Sequence, residues 1–327
     1  GASNVAVGAS ALVANTTGTQ NTAVGMSALL AATTGGYNTV MGYLSGSAIT
    51  TGSGNAFFGL RAGAGTTTGT ANTFVGGSSN SYVGYANTTG TNNTAVGSDA
   101  LAANTTASNN TAVGMDALTA NTTGTNNTAV GKSALQTATT GDDNTAVGFE
   151  ALLTQAAGYR NTAVGKNALR LSTTASNNTA VGKDAGAVNT TGAQLAAFGT
   201  GALAANTTGA NNTALGYQAM DANTTGAANV AVGSNALGGN TTGAYNTANG
   251  FDALKSNTTG TENVAVGQAA LNTNTTASNN TAVGAAALYY NTTGASNTAV
   301  GKSVLVANTT GVDNTAVGGI DAAAAAT

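Results

Sequence analysis

The sequence contains no histidine, cysteine, tryptophan or proline. Missing His and Cys removes the commonest transition-metal ligands, thiol nucleophiles and the side chain that titrates near neutral pH. Charge is also scarce: only 6% of residues are charged and the net charge is −3, so there is no basic field for nucleic acid. No apolar run is long enough to span a bilayer, which speaks against membrane insertion of this segment. No secretory signal is visible, so the chain reads as a mature protein or as a piece of a longer one. These absences point away from an enzyme, and no cofactor or metal is expected.

What is present is repetition. Nineteen glycines recur in arithmetic progression from Gly8 to Gly318, every step being 17 residues except the 21 from Gly76 to Gly97. A short strict period means one supersecondary unit stacked on copies of itself. The unit is clearest from Gly114 to Val130, G-x-x-A-L-x-x-N-T-T-G-x-x-N-T-A-V. Glycine and asparagine suit tight corners, while threonine and valine suit the pleated stretches between them. The expected fold is all-β, a parallel β-solenoid or β-roll of about nineteen 17-residue coils, each with two short strands and two turns. The structural corners are assigned to Gly97, Gly114 and Gly131 and to Asn93, Asn110 and Asn127.

Alternation along the pleat assigns faces. Thr128 and Val130 are placed inward, and Asn127 and Ala129 outward; Leu118, Ala120 and Thr122 share the opposite inner wall. The residue after Leu includes Arg170, Asp221 and Lys255, so it is placed in water. Asn249, standing where Val normally does, is counted among the inward set. The Asn that opens N-T-A-V is present in every coil but one, where Leu195 replaces it. Stacked amides can bond one another or the turn backbone along the axis. The Ala before Val gives way only to Val40, Phe57 and Phe74, and the Ala before Leu is nearly as uniform. A solvent-facing position this small and this constant predicts an alanine face packed against sister chains.

The single 21-residue step places a four-residue insertion between Gly76 and Asn87. Seven of the fifteen aromatics fall between Tyr37 and Tyr85, and in two coils there Gly46 and Gly63 replace Leu. Tyr37, Tyr43, Phe57, Phe74, Tyr82 and Tyr85 form a candidate contact patch for a surface glycan or a protein receptor. The competing reading, and the favoured one, is that the larger residues fill a gap where the roll changes curvature or meets a neighbour. The chain is accordingly divided into solenoid coils over 1–76, aromatic-rich from 37, an irregular coil over 77–86, a regular shaft over 87–318 and a tail over 319–327.

Other motifs carry little chemistry. Lys132, Lys166, Lys183 and Lys302 each follow a corner glycine and read as solvated corners. The G-K-S at Gly131 and Gly301 lacks the glycine spacing of a phosphate loop. Asp142 and Asp143 form an isolated acidic turn, too little for calcium.

The run N-T-A-V-G-x-x-A-L-x-x-N-T-T-G resembles the repetitive shafts of phage tail fibres over Asn4 to Gly318. More loosely it resembles the head repeats of YadA-type trimeric autotransporter adhesins. The resemblance implies a homotrimeric, extracellular or virion-borne fibre used for attachment. Two rivals stand beside that expectation. One is an extracellular filament built by end-to-end stacking. The other is an ice-binding solenoid, disfavoured because each Thr-Thr pair puts one side chain in and one out.

Overall fold

The computed structural model describes residues 1–319; the closing stretch with Asp321 and its run of alanines lies outside the described residues. The fold is all-β, with nineteen three-residue strands and no helix among the described residues. The chain divides into two compact units, Gly1–Asn161 and Thr162–Thr327. The first holds β1 (Val5–Val7) to β9 (Thr145–Val147), and the second β10 (Thr162–Val164) to β19 (Thr315–Val317). Within each unit every strand pairs in parallel with the next, one coil further along. The offset is 17 residues, as in Thr111↔Thr128, and becomes 21 only where Thr73 pairs with Thr94. Each unit is therefore a parallel β-solenoid.

Each coil has one strand, not two. The A-L-x-x-N stretch is built of turns, because Leu sits in the left-handed region: φ is 51° at Leu118 and 53° at Leu12. Two further positions per coil are left-handed, as at Asp116 (φ 60°) and Asn126 (φ 58°). Such a conformation costs an L-residue about 1–2 kcal/mol. It turns the chain while keeping the N–H aimed along the axis. Leu118 N donates to Ala134 O at 3.0 Å, Asp116 N to Ser98 O at 2.9 Å and Asn126 N to Ser108 O at 3.2 Å. Among the described residues no Val, Ile or Thr occupies any of these left-handed positions, as the crowding of a branched Cβ requires.

The face assignment is the reverse of the expected one. Ala129 and Asn127 are fully buried, whereas Thr128 is half-buried and Val130 exposed, and this pattern recurs through the strands. Asn249 is accordingly exposed rather than inward. On the turn wall Ala117 and Leu118 are buried with Asn121, while Ala120 and Thr122 are only half-buried. Hydrophobicity favoured Thr and Val for the interior; the narrowness of the coil overrules it. The strand residue that points inward meets the Leu of the opposite wall, and a methyl group is what the gap accepts.

The two alanine columns are therefore small because they are core, and they present no face to sister chains. Most of the amides inside are hydrogen-bonded along the axis, Asn15 Oδ1 and Asn121 Oδ1 being among the exceptions. Asn127 N donates to Asn110 Oδ1 at 2.9 Å, and its Nδ2 donates to Gly141 O at 2.7 Å. A second ladder runs through the N-T-T asparagines: Asn121 Nδ2 donates to Asn104 Oδ1 and to Gly124 O, both at 3.0 Å. The neighbouring threonines add a third, with Thr122 Oγ1 donating to Thr139 O at 3.0 Å.

The corner glycines behave as their spacing suggests. Gly114 has φ +136°, and a Cβ there would lie 2.6 Å from Gly131 O in the next coil. Gly97 and Gly131 share this conformation, whereas Asn93, Asn110 and Asn127 are buried ladder residues rather than left-handed corners.

Candidate contact surface

With alanine and asparagine inside, the surface is written by the other positions. On the strand face, Thr and Val point outward, in rows such as Thr111, Thr128 and Thr145 beside Val113, Val130 and Val147. Larger residues interrupt the valine row at Met41, Phe58, Phe198 and Leu215. Immediately beyond the corner glycine lies a second column holding Met26, Tyr43, Met115 and Phe149 in the first unit and Tyr217 and Phe251 in the second. These two adjacent columns carry fifteen of the twenty-four exposed large apolar side chains among the described residues. Each unit thus bears an apolar stripe along the corner that follows its strands. Nothing in the period required it. A signal was present in the variation itself, since these positions change while the buried ones stay constant.

The candidate aromatic patch separates into core and surface. Phe57 and Phe74 are fully buried and stack on each other, ring centroids 4.8 Å apart and planes 8° from parallel. They occupy the inward alanine position, and the glycines that replace Leu make room for them. A Cβ on Gly63 would lie 2.4 Å from the Phe57 ring, and one on Gly84 2.5 Å from the Phe74 ring. Loss of an isobutyl group offsets gain of a benzyl group, so the volume of the core is kept. These two are core residues rather than contact residues, and what they fill is the space left by the missing Leu.

The tyrosines are at the surface. Tyr37 is 65% exposed, while Tyr43 and Tyr85 are 39% and 41% exposed. Tyr82 and Tyr85 lean together with centroids 4.9 Å apart, and the Arg61 guanidinium carbon lies 5.8 Å from the Tyr82 ring centroid. The inserted residues form a tight reversal in which Ser78 N donates to Ser81 O at 2.9 Å, with Ser78, Ser79 and Asn80 exposed. After it Val83 and Gly84 return to the buried Ala-Leu positions. The insertion is a surface excursion that leaves the solenoid intact and carries Tyr82 with it.

Several charged side chains make contacts along the solenoid. Asp142 Oδ1 accepts from Thr125 N and Thr125 Oγ1 at 2.6 and 3.0 Å. Asp143 accepts from Asn126 Nδ2 at 3.1 Å and faces Arg160 at 4.0 Å. Lys183 reaches Asp184 at 3.5 Å with both side chains in solvent contact. No group of three or more acidic, His or Cys side chains able to hold a metal occurs among the described residues.

The half-buried Asp221 has its carboxyl raised from its ordinary value by burial, opposed by the backbone N–H groups of Asp221 and Ala222. No helix of the described residues is long and apolar enough to cross a membrane. No protein-family model matches the chain, and no curated protein matches it.

Proposed function

We propose that this protein is a non-enzymatic extracellular structural fibre, the shaft of an attachment device, and that it works by self-association into a homotrimer. The observation that carries this reading is the set of hydrogen-bonded ladders running coil to coil, Asn on Asn and Thr on Thr, joined to the parallel backbone register. Buried amide ladders resist local opening, because each broken rung leaves polar groups without water or partner. That favours a stiff, protease-resistant spacer.

The apolar stripe beside the corner glycines, not the alanine columns, is the surface that sister chains would cover. Sedimentation of the intact protein tests this: a trimer mass supports it and a monodisperse monomer overturns it. Filaments far longer than one chain, seen by negative stain, would replace the trimer with end-to-end assembly. Val130→Glu and Phe149→Glu should dissociate a trimer without changing the circular dichroism spectrum.

A second reading is favoured by one specific observation. The outward Thr and Val of consecutive T-A-V strands make two parallel ranks at strand spacing, roughly 4.8 Å along the axis. A regular hydroxyl and methyl array of this kind suits ice. A thermal-hysteresis assay decides: activity would support ice binding, and none would remove it.

A further inference from the structure

A solenoid makes a groove when one coil drops its side chains between two coils that keep theirs. This happens at Ala64 and Gly65. Tyr85 stands one coil beyond, Leu44 and Ser47 one coil before, and Arg61 projects from the same coil, around a groove of about 410 Å³. That volume lies within the range of small-ligand clefts. Gly65 fits a close approach here: its N donates to Tyr85 O at 2.9 Å, and a Cβ built on it would lie 2.4 Å from that oxygen. The four-residue insertion precedes Tyr82, whose ring neighbours both the Arg61 guanidinium and the Tyr85 ring.

The charge arrangement gives the groove a preference. The nearby carboxylate of Asp99 is already engaged, accepting from Tyr82 N at 2.7 Å and from Ser98 Oγ at 3.4 Å. No carboxylate pairs with Arg61 among the described residues. Its guanidinium rests by the Tyr82 ring with its fork of donors free. Beside it Tyr85, 41% exposed, offers an aromatic face, and the Ser47 side chain lines the groove as a hydroxyl.

We propose that this groove binds an acidic sugar, a pyranose carrying a carboxylate, with the sugar face against Tyr85 and the carboxylate held bidentately by Arg61. The assignment rests on the attachment reading, for which it supplies the chemical class of the ligand. It places recognition on the turn wall, where Leu44 and Arg61 directly follow the stripe positions 43 and 60.

Saturation-transfer NMR on the intact protein tests it with three probes: methyl β-D-glucuronide, the neutral methyl β-D-glucoside, and acetate. The expected result is saturable transfer to the glucuronide, at least tenfold weaker for the glucoside and for acetate. Arg61→Met and Tyr85→Ala should each weaken glucuronide binding at least tenfold while circular dichroism and melting temperature stay unchanged. Arg61→Lys, which keeps charge but not the fork, should fall between. Absence of saturable binding overturns the proposal. So does glucoside or acetate binding as strong as glucuronide binding, or full binding by folded Arg61→Met. A trimer by sedimentation that binds no glucuronide would overturn this site alone. A monomer that binds it would overturn the homotrimeric shaft and leave the site standing.

Discussion

Gly63 lies so close to Phe57 that a Cβ on it would sit 2.4 Å from the ring. The two residues belong to successive coils and replace, respectively, the Leu and the Ala of the ordinary repeat. Gly63 has φ +59°, close to the φ of 49–55° at which Leu occupies the same position elsewhere. Backbone conformation therefore does not forbid a leucine there; Phe57 does. Gly63→Leu should destabilise the protein by about 2–4 kcal/mol through overpacking, and Phe57→Ala by about 3–5 kcal/mol through the cavity it leaves. The double variant restores the consensus pair and should recover at least about 2 kcal/mol of the summed loss, read from denaturant midpoints as a double-mutant cycle. Additive losses would show that the two sites do not share one space.

The N-T-T ladder has a missing rung at Ala138. Asn121 Oδ1 is buried without a partner because the next coil supplies Ala instead of Asn. Ala138→Asn should donate to Asn121 Oδ1 and to Gly141 O, as its counterparts do in other coils. A gain of about 1–2 kcal/mol is expected from satisfying a buried acceptor. Calorimetry would show it as a raised melting temperature; a lowered one would mean that the site lacks room for the amide.

The two glycines of each coil should respond differently to a methyl group. At Gly114 the φ of +136° opposes it, and Gly114→Ala should cost about 2–4 kcal/mol. Gly124→Ala should cost less than about 1 kcal/mol, because Ala107, Ala175 and Ala277 already hold the equivalent corner. Comparing the two midpoints checks this directly, and equal losses would contradict it.

Burial raises the carboxyl of Asp221 above its ordinary value of about 3.9. The sign follows from linkage: a raised value in the folded state gives stability that is fully present below the unfolded value and is lost as pH rises through the folded one. Asp221→Asn cannot lose it. The melting temperature of the variant relative to wild type should therefore be higher at pH 7 than at pH 3. A difference independent of pH would show that the carboxylate is not penalised.

Much of the architecture could be read from residue order. The positions of the left-handed corners at Gly97, Gly114 and Gly131, the parallel stacking and the axial use of asparagine all follow from the period. The orientation of the strand did not. T-A-V alternates equally well with either face inside, and the bulkier residues were assigned to the core. Constancy was the better guide: Ala129 and Asn127 occupy near-invariant columns, while Val130 stands in a column that also holds Met41, Phe198 and Leu215. The pairing of Phe57 with Gly63 was visible as two separate departures. Only contact between successive coils makes them one event.

The period dictated that each coil would rest on a copy of itself, because a unit too small to enclose its own apolar surface finds that surface again one step along the chain. How wide the coil closes was left to three dimensions. Three left-handed residues per coil draw the walls together until Ala faces Leu, and this closeness expels Thr and Val to the surface. That expulsion creates the apolar stripe. The same narrowness means that removing side chains at Ala64 and Gly65 opens the groove beside Arg61 and Tyr85 without touching the core.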